Sequence, residues 1–137
     1  MISVLGTTSK YILQPSLLEM HRYTLECLSV AEYWKLELAF YQKLLERHNA
    51  TNSMVEFKKQ VDHFQNLIIY YRGELIDLLR KKLREHETKL ARMLQQENES
   101  DTEYYKEHNG LMEELTSFQR VYLEFKHTFY EFIEKGI

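Results

Sequence analysis

A carboxylate-bridged metal centre is the sharpest chemistry these residues invite, because helical bundles build such centres from Glu and Glu-x-x-His pairs on facing helices. Glu124 and His127 form one such pair. In antiparallel helices, the helical rise would bring Glu26 and Glu74 within about 3 to 6 Å of the same axial level. Direction argues against the site. With Tyr122 and Phe125 on an inward seam, Glu124 and His127 project outward, and Glu26 follows Leu25, which is read as inward. A di-iron set also asks for two Glu-x-x-His pairs where the chain has one. A ferritin-like carboxylate and His metal-binding bundle therefore stands as an alternative reading, and no resident metal or cofactor is expected.

Three histidines fall in or beside apolar positions: His21, His86 and His108. Helical rise places His86 and His108 within roughly 6 Å axially, so the pair could sense pH or bind a metal. The ordinary fate of such residues is a hydrogen-bonded place in the core, here with Tyr104 or Tyr105.

A basic run, Arg80, Lys81, Lys82, Arg84, Lys89 and Arg92, is set against Glu85 and Glu87. Within it Arg80, Lys81, Arg84, Lys89 and Arg92 are candidates for binding an anionic surface or nucleic acid, which is a further alternative function. The charges read as spread around a helix with no aromatic platform beside them, so a solvated face is expected and nucleic acid is not. Cys27, the single cysteine, sits beside Leu28 on a helix, where an inert buried thiol is the usual outcome. No phosphate loop, nucleophile elbow or His-Glu-x-x-His motif occurs, so the chain reads as non-enzymatic.

The elements that would position these residues are helices. Pro occurs once and Gly four times in 137 residues, while helix formers are abundant. The fold class is all-α, with residues 1–137 read as one domain. Eighteen basic against twenty-one acidic residues give a net charge of -3, so no global field draws the chain to nucleic acid or an anionic membrane. A lone cysteine points to a reducing, cytoplasmic setting. The first residues lack the basic region of a signal peptide, and no apolar run approaches the roughly 20 residues that span a bilayer, so membrane insertion is not expected.

Ser16 with Glu19, Ser53 with Glu56 and Ser100 with Glu103 read as capping boxes, each at the start of a periodic stretch. They predict helices over about 16–47, 53–97 and 101–135, with Gly136 as the final stop and residues 1–15 as an ordered arm. Short connections make the topology up, down, up, a long antiparallel bundle with coiled-coil-like packing. The second helix carries Met54, Phe57, Val61, Phe64, Ile68, Tyr71, Leu75 and Leu78 as a seam, after which the phase slips by one to Leu79, Leu83, His86, Leu90 and Met93. A break near Gly73, giving four helices, is the alternative. The third helix keeps an unbroken seam: Tyr104, His108, Leu111, Leu115, Phe118, Tyr122, Phe125, Phe129 and Phe132.

Between Tyr33 and Tyr41 the first helix is apolar nearly all round, more than one buried face can hold. Tyr33, Trp34, Phe40 and Tyr41 are therefore candidate interface residues. The expectation is a protein–protein interaction or scaffold module that forms a homodimer, another protein being the other partner such a face could take.

Overall fold

A computed structural model describes residues 15–96 and 102–135. Among them the chain forms three helices and no strand. Helix α1 is Pro15–Thr51, running four residues beyond Arg47, and α3 is Thr102–Lys135. Helix α2 covers 55–95 and is assembled from an α-helical stretch Val55–Tyr70, a π-helical turn Tyr71–Leu75 and a second α-helical stretch Ile76–Gln95. The arm at 1–14, the cap at Ser100 and the stop at Gly136 lie outside the described residues.

The π turn locates the phase slip. Val61, Phe64, Ile68 and Tyr71 are buried at spacings of three and four, and the next buried residue is Ile76, five further on. The Ile76 N–H bonds back to the Tyr71 carbonyl, the i to i+5 closure that admits one extra residue into the turn. From Ile76 the spacing returns to three and four through Leu79, Leu83, His86, Leu90 and Met93. The slip therefore falls before Leu78, not after it. Leu78 is 48% exposed and Met54 68% exposed, so neither end of the expected seam is inward. Gly73 lies inside the π turn and does not break the helix, which corrects the four-helix alternative.

The start of α2 differs from the capping-box expectation. The Met54 carbonyl accepts the first helical bond from the Lys58 N–H, which makes Met54 the cap residue, and no side chain caps the helix from that position. Asn52 Oδ1 instead accepts from the Met54 N–H at 2.9 Å, and Ser53 is not the cap. The Asx turn holds the Met54 N–H, a different donor from the Glu56 N–H that a Ser53 cap would have taken. Lys58 Nζ also donates to the Asn49 carbonyl and side chain, tying α2 back to the last turn of α1.

The helices pack as two compact units, one holding the described part of Met1–Val30 with Leu79–Thr116, the other Ala31–Leu78 with Ser117 onward. In the first, Leu17 of α1 packs with Leu90, Ala91, Met93 and Leu94 of α2 and Tyr104 of α3. In the second, ring contacts set the directions. Phe57 meets Phe132, Phe64 meets Phe129 and Tyr71 meets Phe118, so α2 and α3 are antiparallel. Trp34 meets Phe118 and Tyr41 meets Phe129, so α1 runs with α3. All nine seam residues of α3 are buried. Their rings stack along the helix at centroid spacings of 5.8, 6.0 and 5.8 Å from Phe118 through Tyr122 and Phe125 to Phe129. From Phe118 to Phe132 large rings at every seam position fill the space between helices with few rotatable bonds to immobilise. Among the described residues no helix is long and apolar enough to cross a membrane.

Candidate functional site

Each unit holds a polar cluster. In the first unit, His86 of α2 is fully buried, 0% exposed, and His108 of α3 is buried beside it. Their nitrogens, His86 Nε2 and His108 Nδ1, lie 3.0 Å apart, and His86 Nδ1 lies 2.9 Å from Glu107 Oε1. A carboxylate only accepts, so Nδ1 of His86 donates to Glu107. A neutral His86 then offers a bare Nε2, and His108 donates to it from Nδ1. Glu107 also pairs with Lys89, and the Tyr104 ring stacks on His86 at 4.1 Å.

Burial lowers the pKa of both His86 and His108, because a charged imidazole there loses its hydration; the bond to Glu107 partly offsets this for His86. Glu107 is pushed up by its own partial burial, yet Lys89 and His86 outweigh that and hold it below the usual carboxylate value.

Nearby in the same unit, His21 Nδ1 of α1 lies 2.7 Å from Glu87 Oε2 of α2, both buried. Burial raises Glu87 and the His21 contact pulls it back only in part. Its other oxygen, Oε1, is buried with no hydrogen-bond partner among the described residues. Burial also raises the Cys27 thiol, with Glu26 adding to the effect, the opposite of what a thiolate nucleophile needs. The imidazoles can share and relay a proton, but both are enclosed by protein.

In the second unit the polar groups border a groove. Glu37 of α1 accepts from Tyr122 Oη at 3.1 Å and from Lys126 Nζ at 3.3 Å, both on α3. The Tyr41 hydroxyl lies 3.0 Å from that of Tyr130. Burial first, and the Glu37 charge with it, pushes the Tyr122 phenol far up; burial and the Tyr130 contact do the same for Tyr41. Both stay neutral hydrogen-bonding groups. Outside this floor, Tyr33, Leu36 and Phe40 of α1 and Tyr130 of α3 line an open groove of about 340 Å³ together with Glu37 and Tyr41.

The four candidate interface residues thus separate. Trp34 and Tyr41 are buried against Phe118, Tyr122, Phe125 and Phe129 in the chain's own core. Tyr33 and Phe40 face outward, with Leu36 between them. The sequence reading missed the carboxylates Glu37, Glu87 and Glu107, each of which takes a partner from another helix that leaves no trace in local spacing.

The metal candidates do not converge. Glu124, His127, Glu26 and Glu74 are each exposed, and His127 pairs with Glu131 one turn on, at 2.9 Å. Leu25, read as inward, is exposed too; His21 and Thr24 take the inward face of α1 there. Among the described residues no three His, Cys, Asp or Glu side chains are arranged to hold a metal ion.

The basic run is sorted by its neighbours. Lys82 pairs with Glu114 and Lys89 with Glu107, while Arg80 is half-buried. Lys81, Arg84 and Arg92 share one face of α2 with Glu85, Thr88 and Lys89, lining a shallow groove of about 430 Å³. The charges are less dispersed than the sequence suggested, because positions 81, 84, 88 and 92 recur at helical spacing.

What fold and sites define together is an all-α helical bundle that carries an open apolar groove on α1 and a basic groove on α2. No protein-family model, curated protein or solved structure matches the chain. Helical bundles host many functions, so the reading rests on the sites.

Proposed function

We propose that this chain is a non-enzymatic helical interaction module that docks a partner on the outer face of α1, at Tyr33, Leu36 and Phe40 with Tyr130 beside them. One observation carries the reading. Leu36 is 68% exposed, and Tyr33 and Phe40 are more than half exposed, while Trp34, Leu38 and Tyr41 of the same helix are buried. An apolar helix used on both sides serves two surfaces, the inner a core and the outer a site where aromatic anchors dominate binding energy. A cytoplasmic, homodimeric protein accords with the reading.

The test compares the wild type with a variant carrying Tyr33→Ser, Leu36→Ser and Phe40→Ser, at concentrations low enough to keep the chain monomeric. Exposed positions of this kind change stability by about 0.5 kcal/mol or less each, so helicity is retained. An amphipathic fluorescent dye is expected to brighten on the wild type and not on the variant. Equal dye binding by the two folded proteins would sink the reading.

A second reading has its own observation, the alignment of Lys81, Arg84 and Arg92 along one groove. It assigns that stripe to an anionic partner.

A further inference from the structure

We propose that the occupant of the α1 face is a second copy of this chain, with the two α1 helices antiparallel about a two-fold axis at Phe40. The inference rests on the reading of that face as an interaction surface. It adds the partner and the register.

In a two-fold contact, residue i meets j and j meets i, so positions equally distant from the axis pair with one another. With the axis at Phe40, that ring meets its own copy. Leu36 then meets Leu44, Tyr33 meets Arg47, and Lys43 meets Glu37, whose carboxylate it shares with Lys126 of the other copy. Each is a favourable match: apolar with apolar, carboxylate with ammonium, aromatic face with guanidinium. Lys43 and Arg47 are exposed and Leu44 is half-buried, so all three are within reach of a partner. Tyr33, Leu36, Phe40, Lys43 and Arg47 follow spacings of three and four, the seam that lets two helices lie side by side. The seam runs about 21 Å along the axis.

Other registers match less well. A parallel pair puts Lys43 on Lys43, Arg47 on Arg47 and Glu37 on Glu37, like charges that repel. An antiparallel pair centred on Leu36 sets Phe40 against Glu32 and leaves the ring without an apolar counterpart. Moving the axis to midway between Leu36 and Phe40 sets Leu44 against Glu32. Of these four registers, the one about Phe40 joins apolar and charge complementarity along the seam.

Cross-linking reads the register, in chains carrying Cys27→Ser so that no other thiol competes. Phe40→Cys is expected to form a disulfide-linked dimer on mild oxidation. Chains with Tyr33→Cys mixed with chains carrying Arg47→Cys are expected to link to each other, whereas neither links to itself. Both positions are exposed, so the variants fold. Sedimentation is expected to show a dimer whose dissociation constant rises about 30-fold or more with Phe40→Arg.

A wild-type mass that stays monomeric as concentration rises overturns the second copy while leaving the dye test of the face untouched. Self-linking of Tyr33→Cys overturns the antiparallel register alone. A dimer indifferent to Phe40→Arg puts the self-contact elsewhere and overturns this inference, while the dye test still decides the face as an interaction surface.

Discussion

His86 and His108 are held neutral by their surroundings, and the consequence is a stability that depends on pH in one direction. Facing them are Glu107 on α3 and Lys89 on α2, with Tyr104 stacked on His86 and the Glu87–His21 pair in the same unit. Both histidines have folded pKa values below their ordinary 6.5. The unfolded chain therefore binds protons first as pH falls, and stability is lost from about pH 6.5 downward, by at most about 1.4 kcal/mol per pH unit for each proton. Glu87, raised by burial, works the other way: its contribution is present in acid and is lost as pH rises through its folded pKa, above the ordinary 4.5. The Glu87 window opens at the ordinary 4.5 and runs upward, while the histidine window opens at 6.5 and runs downward, so the two oppose each other. Denaturant titrations are expected to show a falling midpoint between pH 7 and pH 5.5, with a shallower fall in His86→Phe, whose ring can still stack on Tyr104. An unchanged slope in that variant would show that the titrating protons lie elsewhere.

At the scale of the elements, α3 was legible because nine seam residues in unbroken register admit one inward face. The second helix was legible in kind but not in place. Its slip was visible in sequence, yet Leu75 and Leu78 continue the old spacing, so sequence alone carried the first phase too far. The helix instead inserts its extra residue between Tyr71 and Ile76, and Leu78 turns outward. In α1 the ambiguity was complete: Tyr33, Trp34, Phe40 and Tyr41 are all apolar aromatics, and only the rings of α3 select Trp34 and Tyr41 for the core.

The π turn makes a prediction of its own. Removing one residue there leaves Tyr71 and Ile76 four apart, and the seam through Val61, Phe64, Ile68, Tyr71, Ile76, Leu79, Leu83, His86, Leu90 and Met93 then alternates three and four throughout. Gly73 is the natural choice, being exposed, with nothing within 4 Å of where a Cβ would stand. Deleting it is expected to preserve helicity and the thermal midpoint. Deleting the exposed Glu85 rotates everything after it by about 100° and withdraws His86, Leu90, Met93 and Leu94 from the core. At about 2 to 5 kcal/mol for each large apolar side chain lost, that exceeds the stability of an ordinary domain. Melting curves followed by circular dichroism separate the two deletions, and equal damage from both would mean that the π turn is not a one-residue insertion.

At the scale of the whole molecule, charge decides how far the basic stripe can act. The chain carries a net charge of -3, and two members of its basic run, Lys82 and Lys89, face Glu114 and Glu107. Lys81, Arg84 and Arg92 line one groove, and one phosphate neutralised by each would give a slope of about -2.7 in log affinity against log salt on duplex DNA. Strong nonspecific binders, with 6 to 10 phosphate contacts, lose about a thousandfold or more between low and moderate salt. This chain has fewer contacts to lose and less affinity to begin with, since its overall charge repels the duplex. Anisotropy titrations are expected to find weak binding, with a slope no steeper than about -3, falling toward zero when Lys81, Arg84 and Arg92 are changed together to Gln. A slope near -6, or binding that survives the triple change, would mean that a larger basic surface exists than these three side chains provide, and the anionic reading would then displace the apolar one.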